Sequence, residues 1–274
     1  MSAEQLDLFC DFGGTAVGAS ATPSAPSSLD VAKLDDGELL ARSAHSTLAD
    51  SHMLLAEAGR RRLAAAVPLL RDVCRRHAGF GARRQIPEQA AALNALHAIG
   101  TRAAAQAVAE AIERGWVVGP TLTVAALCAG RLHANLSSET LAMLLQHPDP
   151  SVRVAGCGCA RPYPAITALL GELMVDPRRP VAEAAACALG RLARTEARPV
   201  LAVLLEKAPS EEVIEAASTV ADEPTLVLLG RIARSGSKLA PAAMAALEDS
   251  DHPCAAKIRA TIATPISVSA SARS

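Results

Sequence analysis

Between Asp149 and Ala221 the chain repeats itself, and an internal repeat of about thirty residues limits a fold more than any composition does. DPSVRVAGCGCA (149–160) aligns with RRPVAEAAACAL (178–189) and with SEEVIEAASTVA (210–221). Val152, Val181 and Val213 share one slot at spacings of 29 and 32 residues, and Ala155, Ala184 and Ala216 share another at the same spacings. Each copy leads into a Leu-rich run: ITALLGEL from Ile166, VLAVLLEK from Val200 and TLVLLGRI from Thr225. The unit is therefore an Ala-rich helix, a turn and a Leu-rich helix. From Val181 to Leu192 the apolar residues Val181, Ala184, Ala185, Ala188, Leu189 and Leu192 follow the i, i+3, i+4, i+7 stripe of an amphipathic helix. One such hairpin cannot hide both of its faces, but stacked hairpins can. The expected fold class is all-α, an α-α superhelix rather than a globule around one centre.

The pieces DPSVRVAG (149–156) and ALGRL (188–192) resemble HEAT repeats, in particular the HEAT-like repeats of phycobilin lyase subunits. The resemblance covers about residues 140–235 and implies the fold alone. In HEAT repeats arginines often cross-brace neighbouring units. Arg153, Arg191 and Arg231 stand in such contexts, with a ladder of donors for an acidic ligand as the alternative. Gly190 and Gly230 lie 40 residues apart, off the 32-residue step, which points to different helices of their units.

Three segments are expected: a flexible tail over 1–30, a helical repeat solenoid over 31–263, and a frayed C-terminal tail over 264–274. Hydrophobic residues make up 50% of the chain and aromatics 2%, so Ala, Leu and Val must do the packing. Pro87, Pro120, Pro241 and Pro253 are placed at or near helix starts, where a missing N–H costs least, and Pro68 is expected to kink or restart the helix whose stripe is Leu63, Val67, Leu70 and Cys74. Seven cysteines without regular spacing suit small buried thiols in a reducing cytosol. With no basic start followed by an apolar run and no stretch long enough to span a bilayer, a cytoplasmic protein without a membrane is expected.

In the tail, GGTAVGASATPSAPSS has the composition of a linker, whereas MSAEQLDLFCDF holds two of the five aromatic residues, Phe9 and Phe12. Gln5, Leu6, Asp7, Leu8 and Phe9 read QLDLF, which resembles the clamp-binding pentapeptide of bacterial replication and repair proteins. The resemblance implies the bacterial DNA polymerase sliding clamp as partner. Gln5 would hydrogen-bond at the rim of its cleft, Leu8 and Phe9 would fill the apolar pocket, and Leu6 with Asp7 would fix the register. Alternatively, Leu6, Leu8 and Phe9 fold back as a cap over the first repeat.

A second candidate is the run Arg60, Arg61, Arg62, Arg71, Arg75, Arg76, Arg83 and Arg84, opposed within its bounds only by Asp72. Such a concentration can neutralise phosphates of DNA. Read as lacking interleaved aromatics for base stacking, it is first a solvated helix face and loop. Cys157 and Cys159 are two apart, which turns their thiols to different faces, and no Cys or His pair has zinc-site spacing, so neither metal nor cofactor is expected. No phosphate loop, nucleophile elbow or HExxH occurs. The functional expectation is a non-enzymatic scaffold in replication or repair, hooked to the clamp and holding an unknown protein on its concave face. The alternatives are a scaffold unrelated to DNA and a HEAT-like enzyme, either an alkylpurine DNA glycosylase with Phe80, Trp116 and Tyr163 as aromatic walls or a phycobilin lyase subunit.

Overall fold

The computed structural model describes residues 30–45 and 48–263, and from Val31 onward these belong to one compact unit. The described residues form fifteen α-helices with short 3-10 turns and no strand. In chain order they are α1 (Asp36–His45), α2 (Leu48–Arg60), α3 (Val67–Arg76), α4 (Pro87–Ile99), α5 (Arg102–Glu113), α6 (Pro120–Arg131), α7 (Ser138–Leu145) and α8 (Pro150–Gly158). There follow α9 (Pro164–Leu173), α10 (Arg179–Arg191), α11 (Arg198–Lys207), α12 (Glu211–Thr219), α13 (Glu223–Arg234), α14 (Ala240–Glu248) and α15 (Pro253–Ala263).

Proline punctuates this order. It occupies the first or second helical position of α3, α4, α6, α8, α9, α10, α11, α13 and α14, where the first turn has no use for its missing donor. Pro68 restarts a helix after the 3-10 turn Ala64–Ala66 instead of kinking one. The three aligned copies meet at their N-caps. Asp149 accepts from the Ser151 amide, and Ser210 accepts from the Val213 amide. Arg178, in the same slot, cannot cap, and Asp176 two residues earlier accepts from the Arg178 amide instead at 2.7 Å.

The helices stack in two layers. The Ala-rich layer runs α2, α4, α6, α8, α10, α12, α14, each packed on the next. The Leu-rich layer runs α3, α5, α7, α9, α11, α13, α15 and is interrupted, because α5 and α7 barely touch, nor do α9 and α11. Gly190 lies in α10 of the first layer and Gly230 in α13 of the second, in keeping with their 40-residue spacing. The core between the layers is aliphatic: Leu93, Leu96, Leu141, Leu144, Ile166 and Leu170 are fully enclosed. Arginines tie successive units. Arg153 pairs with Asp176 at 3.0 Å and donates to the carbonyls of His147 and Pro148. Arg191 donates to the Cys157 carbonyl at 3.4 Å. Both act as braces, whereas Arg231 is exposed.

Candidate functional site

A groove crosses the outer face of α5, beside the interruption between α5 and α7. α5 begins at Thr101, whose hydroxyl accepts from the Ala104 amide, and it turns Ala104, Ala107, Val108, Ala111 and Ile112 inward. The same periodicity leaves Arg102, Ala103, Gln106 and Glu113 exposed on the opposite face. Val67, Pro68 and Arg71 at the start of α3 wall one side of that face, and Leu132, His133 and Asn135 in the α6–α7 link wall the other. The groove is open to solvent and its volume is about 1040 Å³.

One ion pair stands on the rim. Arg71 donates from Nε and Nη2 to both carboxylate oxygens of Glu110, at 2.7 and 2.9 Å, and its guanidinium lies 5.9 Å from the centre of the Trp116 ring. The hydrogen bond from Arg71 holds the Glu110 carboxyl below the usual range. Trp116 is thus half-buried beneath a cation, and its carbonyl accepts from Gln89 at 2.9 Å. Glu113 accepts from the Ser137 amide at 3.0 Å, tying the end of α5 to the N-cap of α7. Beyond His133 a smaller recess of about 290 Å³ continues along the C-terminal ends of α6, α8 and α10, lined by Gly130, Gly158, Cys159, Arg161, Arg191 and Glu215. There Arg161 donates to the carbonyls of His133 and Ala134, at 2.7 and 3.3 Å, satisfying carbonyls that a helix end leaves open.

Gln5, Leu6, Asp7, Leu8 and Phe9 lie outside the described residues, as does the segment 264–274. The arginine run divides. Arg60 donates to both oxygens of Glu57, at 2.7 and 2.6 Å. Arg61 donates to Glu57 and Asp36 and to the carbonyls of Val31, Ala32 and Leu34, strapping the start of the solenoid to α2. The hydrogen bonds from Arg60 and Arg61 push the Glu57 carboxyl down to about 2. Arg61 is therefore a structural strap, 17% exposed, whereas Arg60 holds the same carboxylate from the surface with 68% of its side chain exposed. Arg62 sits just past α2 with φ of 54°, and Arg75 pairs with Asp72 at 3.1 Å. Arg76, Arg83 and Arg84 are exposed and have no acidic partner among the described residues. Phe80, between Arg76 and Arg83, is 64% exposed. It corrects the reading that no aromatic interleaves the run.

Cys74, Cys128, Cys157, Cys159 and Cys187 are buried thiols, and both members of the C-x-C pair face protein. Burial pushes Cys74, Cys157 and Cys159 up to about 12, and Cys128 and Cys187 up to about 11, which makes each a neutral packing group at pH 7. Among the described residues no three His, Cys, Asp or Glu gather closely enough to hold a metal. Phe80, Trp116 and Tyr163 stand on three different links, before α4, before α6 and before α9. No described helix is long and apolar enough to cross a membrane.

Residues 137–221 match the family described as HEAT repeats, and the stretch spans α7 to α12, across the aligned copies. These residues are HEAT repeats. Among solved structures, a chain in the complex of CpcE and CpcF of phycocyanin lyase from Nostoc sp. PCC7120 is similar, with a TM-score of 0.61 and 15% identity. The match covers 89% of this chain and 98% of that one, so the HEAT-like architecture reaches well beyond residues 137–221. At that identity the likeness is one of fold. No curated protein matches the sequence. The groove along α5 precedes the matched HEAT stretch, which begins at Ser137, the residue held by Glu113.

Proposed function

We propose that this HEAT-repeat chain is a binding scaffold whose α5 groove receives a segment of a partner protein, and that Gln5–Phe9 recruit it to the bacterial sliding clamp. The observation that carries the scaffold reading is the groove itself. About 1040 Å³ of open volume stands at the upper end of what a small ligand ordinarily fills, and its rim mixes Arg71, Arg102 and Glu113 with the apolar Val67 and Leu132. That mixture suits a peptide better than a metabolite. The similar chain from Nostoc is described as part of a complex, which supports a protein partner for the same architecture.

Clamp recruitment rests on the sequence QLDLF. A pentapeptide alone binds at about micromolar Kd, near −8 kcal/mol, and a second contact on the solenoid raises occupancy through effective concentration. A flexible linker of about twenty residues reaches roughly 25 Å root-mean-square. Titrating purified clamp against the full chain, and against a chain with Gln5, Leu8 and Phe9 changed to alanine, tests the reading. The expected result is micromolar binding that the triple variant abolishes with no change in melting temperature. Retained binding by the triple variant would overturn the hook, and a lowered melting temperature with no clamp binding by the parent would replace it by a cap.

A second reading follows from the fold match: a bilin lyase subunit, whose groove would hold the pigment. Adding a free bilin to the chain and recording its visible spectrum distinguishes the two. A red shift with enhanced absorbance favours the lyase reading, and an unchanged spectrum favours the scaffold.

A further inference from the structure

The link between α3 and α4 concentrates charge and exposed ring surface on a fixed base. Gln89, fully buried in α4, donates from Nε2 to the carbonyls of Cys74, His77 and Trp116, at 2.9, 3.2 and 2.9 Å. It thereby ties the end of α3 and the α5–α6 link to α4. The Ile86 amide donates to Thr121 Oγ1 at 3.0 Å and pins the other end of the link to α6. Between these anchors the chain makes two short turns, with the Phe80 amide donating to the His77 carbonyl and the Arg84 amide to the Gly81 carbonyl. Gly79 and Gly81 supply φ values of 78° and 89°. A Cβ at Gly81 would lie 2.6 Å from Ile86 Cγ1, so the shape of the loop is specific to glycine there.

What this base presents is Arg75, Arg76, Phe80, Arg83 and Arg84, all exposed. The whole chain carries a formal charge of −1, so the excess is local. We propose that this loop is a single-stranded nucleic-acid contact, with a base stacked on Phe80 and successive phosphates held by Arg76, Arg83 and Arg84. Every base offers a π-face, and guanidinium forks match phosphate oxygens in pairs. An anionic lipid surface would also attract the charge. The residues around Phe80 are Ala78, Gly79, Gly81 and Ala82, however, which offer little apolar area for insertion, whereas stacking requires only one ring. None of these residues lines the α5 groove.

Fluorescence anisotropy on the full chain, with a labelled twenty-nucleotide oligothymidylate, tests it. Three or four phosphate contacts give a log–log salt slope of about −2 to −3. Phe80→Ala should weaken binding on the order of tenfold and leave that slope unchanged. Arg83→Ala with Arg84→Ala should flatten the slope by about 1.4. All three positions are exposed, and circular dichroism confirms that the variants fold. No binding at low salt overturns the proposal, as does a Phe80→Ala chain that binds like the parent. Equal affinity for a duplex of the same length overturns the single-strand assignment. Association with phosphatidylserine vesicles, weakened by Phe80→Ala while the oligonucleotide does not bind, assigns the loop to a membrane surface and overturns it too.

Discussion

The two layers of the solenoid use opposite means of packing. In the Ala-rich layer, backbones approach until no Cβ fits: a Cβ on Gly190 of α10 would lie 2.6 Å from the Ala216 carbonyl oxygen of α12, and one on Gly59 of α2 would lie 2.8 Å from Ala95 Cα of α4. In the Leu-rich layer the close approach is to a side chain instead, with a Cβ on Gly230 of α13 lying 2.6 Å from Ile258 Cγ2 of α15, and Gly171 of α9 has nothing within 4 Å of where its Cβ would stand. Small residues set a short interhelical distance, and a layer that is continuous along its length follows. In the second layer longer side chains meet, and contact lapses between α5 and α7. The groove lies beside that lapse, on the outer face of α5 between the start of α3 and the α6–α7 link.

The largest expected test of this contrast is alkaline. Four of the five thiols pushed up by burial, Cys128, Cys157, Cys159 and Cys187, lie in the Ala-rich layer or directly after α8. A thiol whose folded value is raised above its ordinary 9 adds stability that is fully present below pH 9 and is lost as pH rises through about 11 to 12. Helicity followed by circular dichroism should collapse across that window. Replacing Cys128, Cys157 and Cys187 by alanine should move the collapse to higher pH. An unmoved midpoint would mean that these thiols do not govern the collapse.

Next comes Gly190→Ala. The added methyl meets a backbone carbonyl, which cannot rotate away, and the loss should be about 2–3 kcal/mol. Urea unfolding measures it. A cost below about 1 kcal/mol would show that α10 and α12 separate easily and that the layer is looser than it looks.

Helix positions and types were readable because proline, alanine and leucine each act locally. The stripe from Val181 to Leu192 is realised as α10, Arg179–Arg191, and Pro68 restarts a helix as a residue without an N–H should. The groove was not readable, since it depends on how far α5 stands from α7, a distance no local pattern encodes. The arginine run was overcounted for a simpler reason. Glu57 stands three and four residues before Arg60 and Arg61, the spacing that puts side chains on one helix face, and counting from Arg60 leaves it out. Phe80 lay in view in GFGARR, but only its 64% exposure shows it as a surface ring. The tail motif at Gln5–Phe9 is legible in sequence alone, and its test remains the clamp titration.

A smaller effect distinguishes the ends of the Ala-rich helices. Past α10, Ala193 takes φ of 57°, its amide donating to the Gly190 carbonyl while the Arg194 amide donates to that of Leu189. This is the paired closure that glycine usually makes. Arg62 and His133 do the same after α2 and α6, where the residue type gave no sign of it. Ala193→Gly should stabilise the chain by about 1 kcal/mol, because the left-handed conformation costs an L-residue about that much. A melting temperature that fails to rise would mean that the cap frays.

Gly171→Ala is the smallest change and sharpens the contrast from the other side. It sits inside α9 in open space, so the added methyl clashes with nothing and removes a helix-interior glycine, a gain of about 0.5–1 kcal/mol. The same substitution should therefore carry opposite signs at Gly171 and Gly190, one layer apart. A loss at Gly171 comparable to that at Gly190 would mean that the Leu-rich layer closes up in solution. The space between α5 and α7 would then shrink with it, and thermal unfolding of the two variants side by side decides the matter.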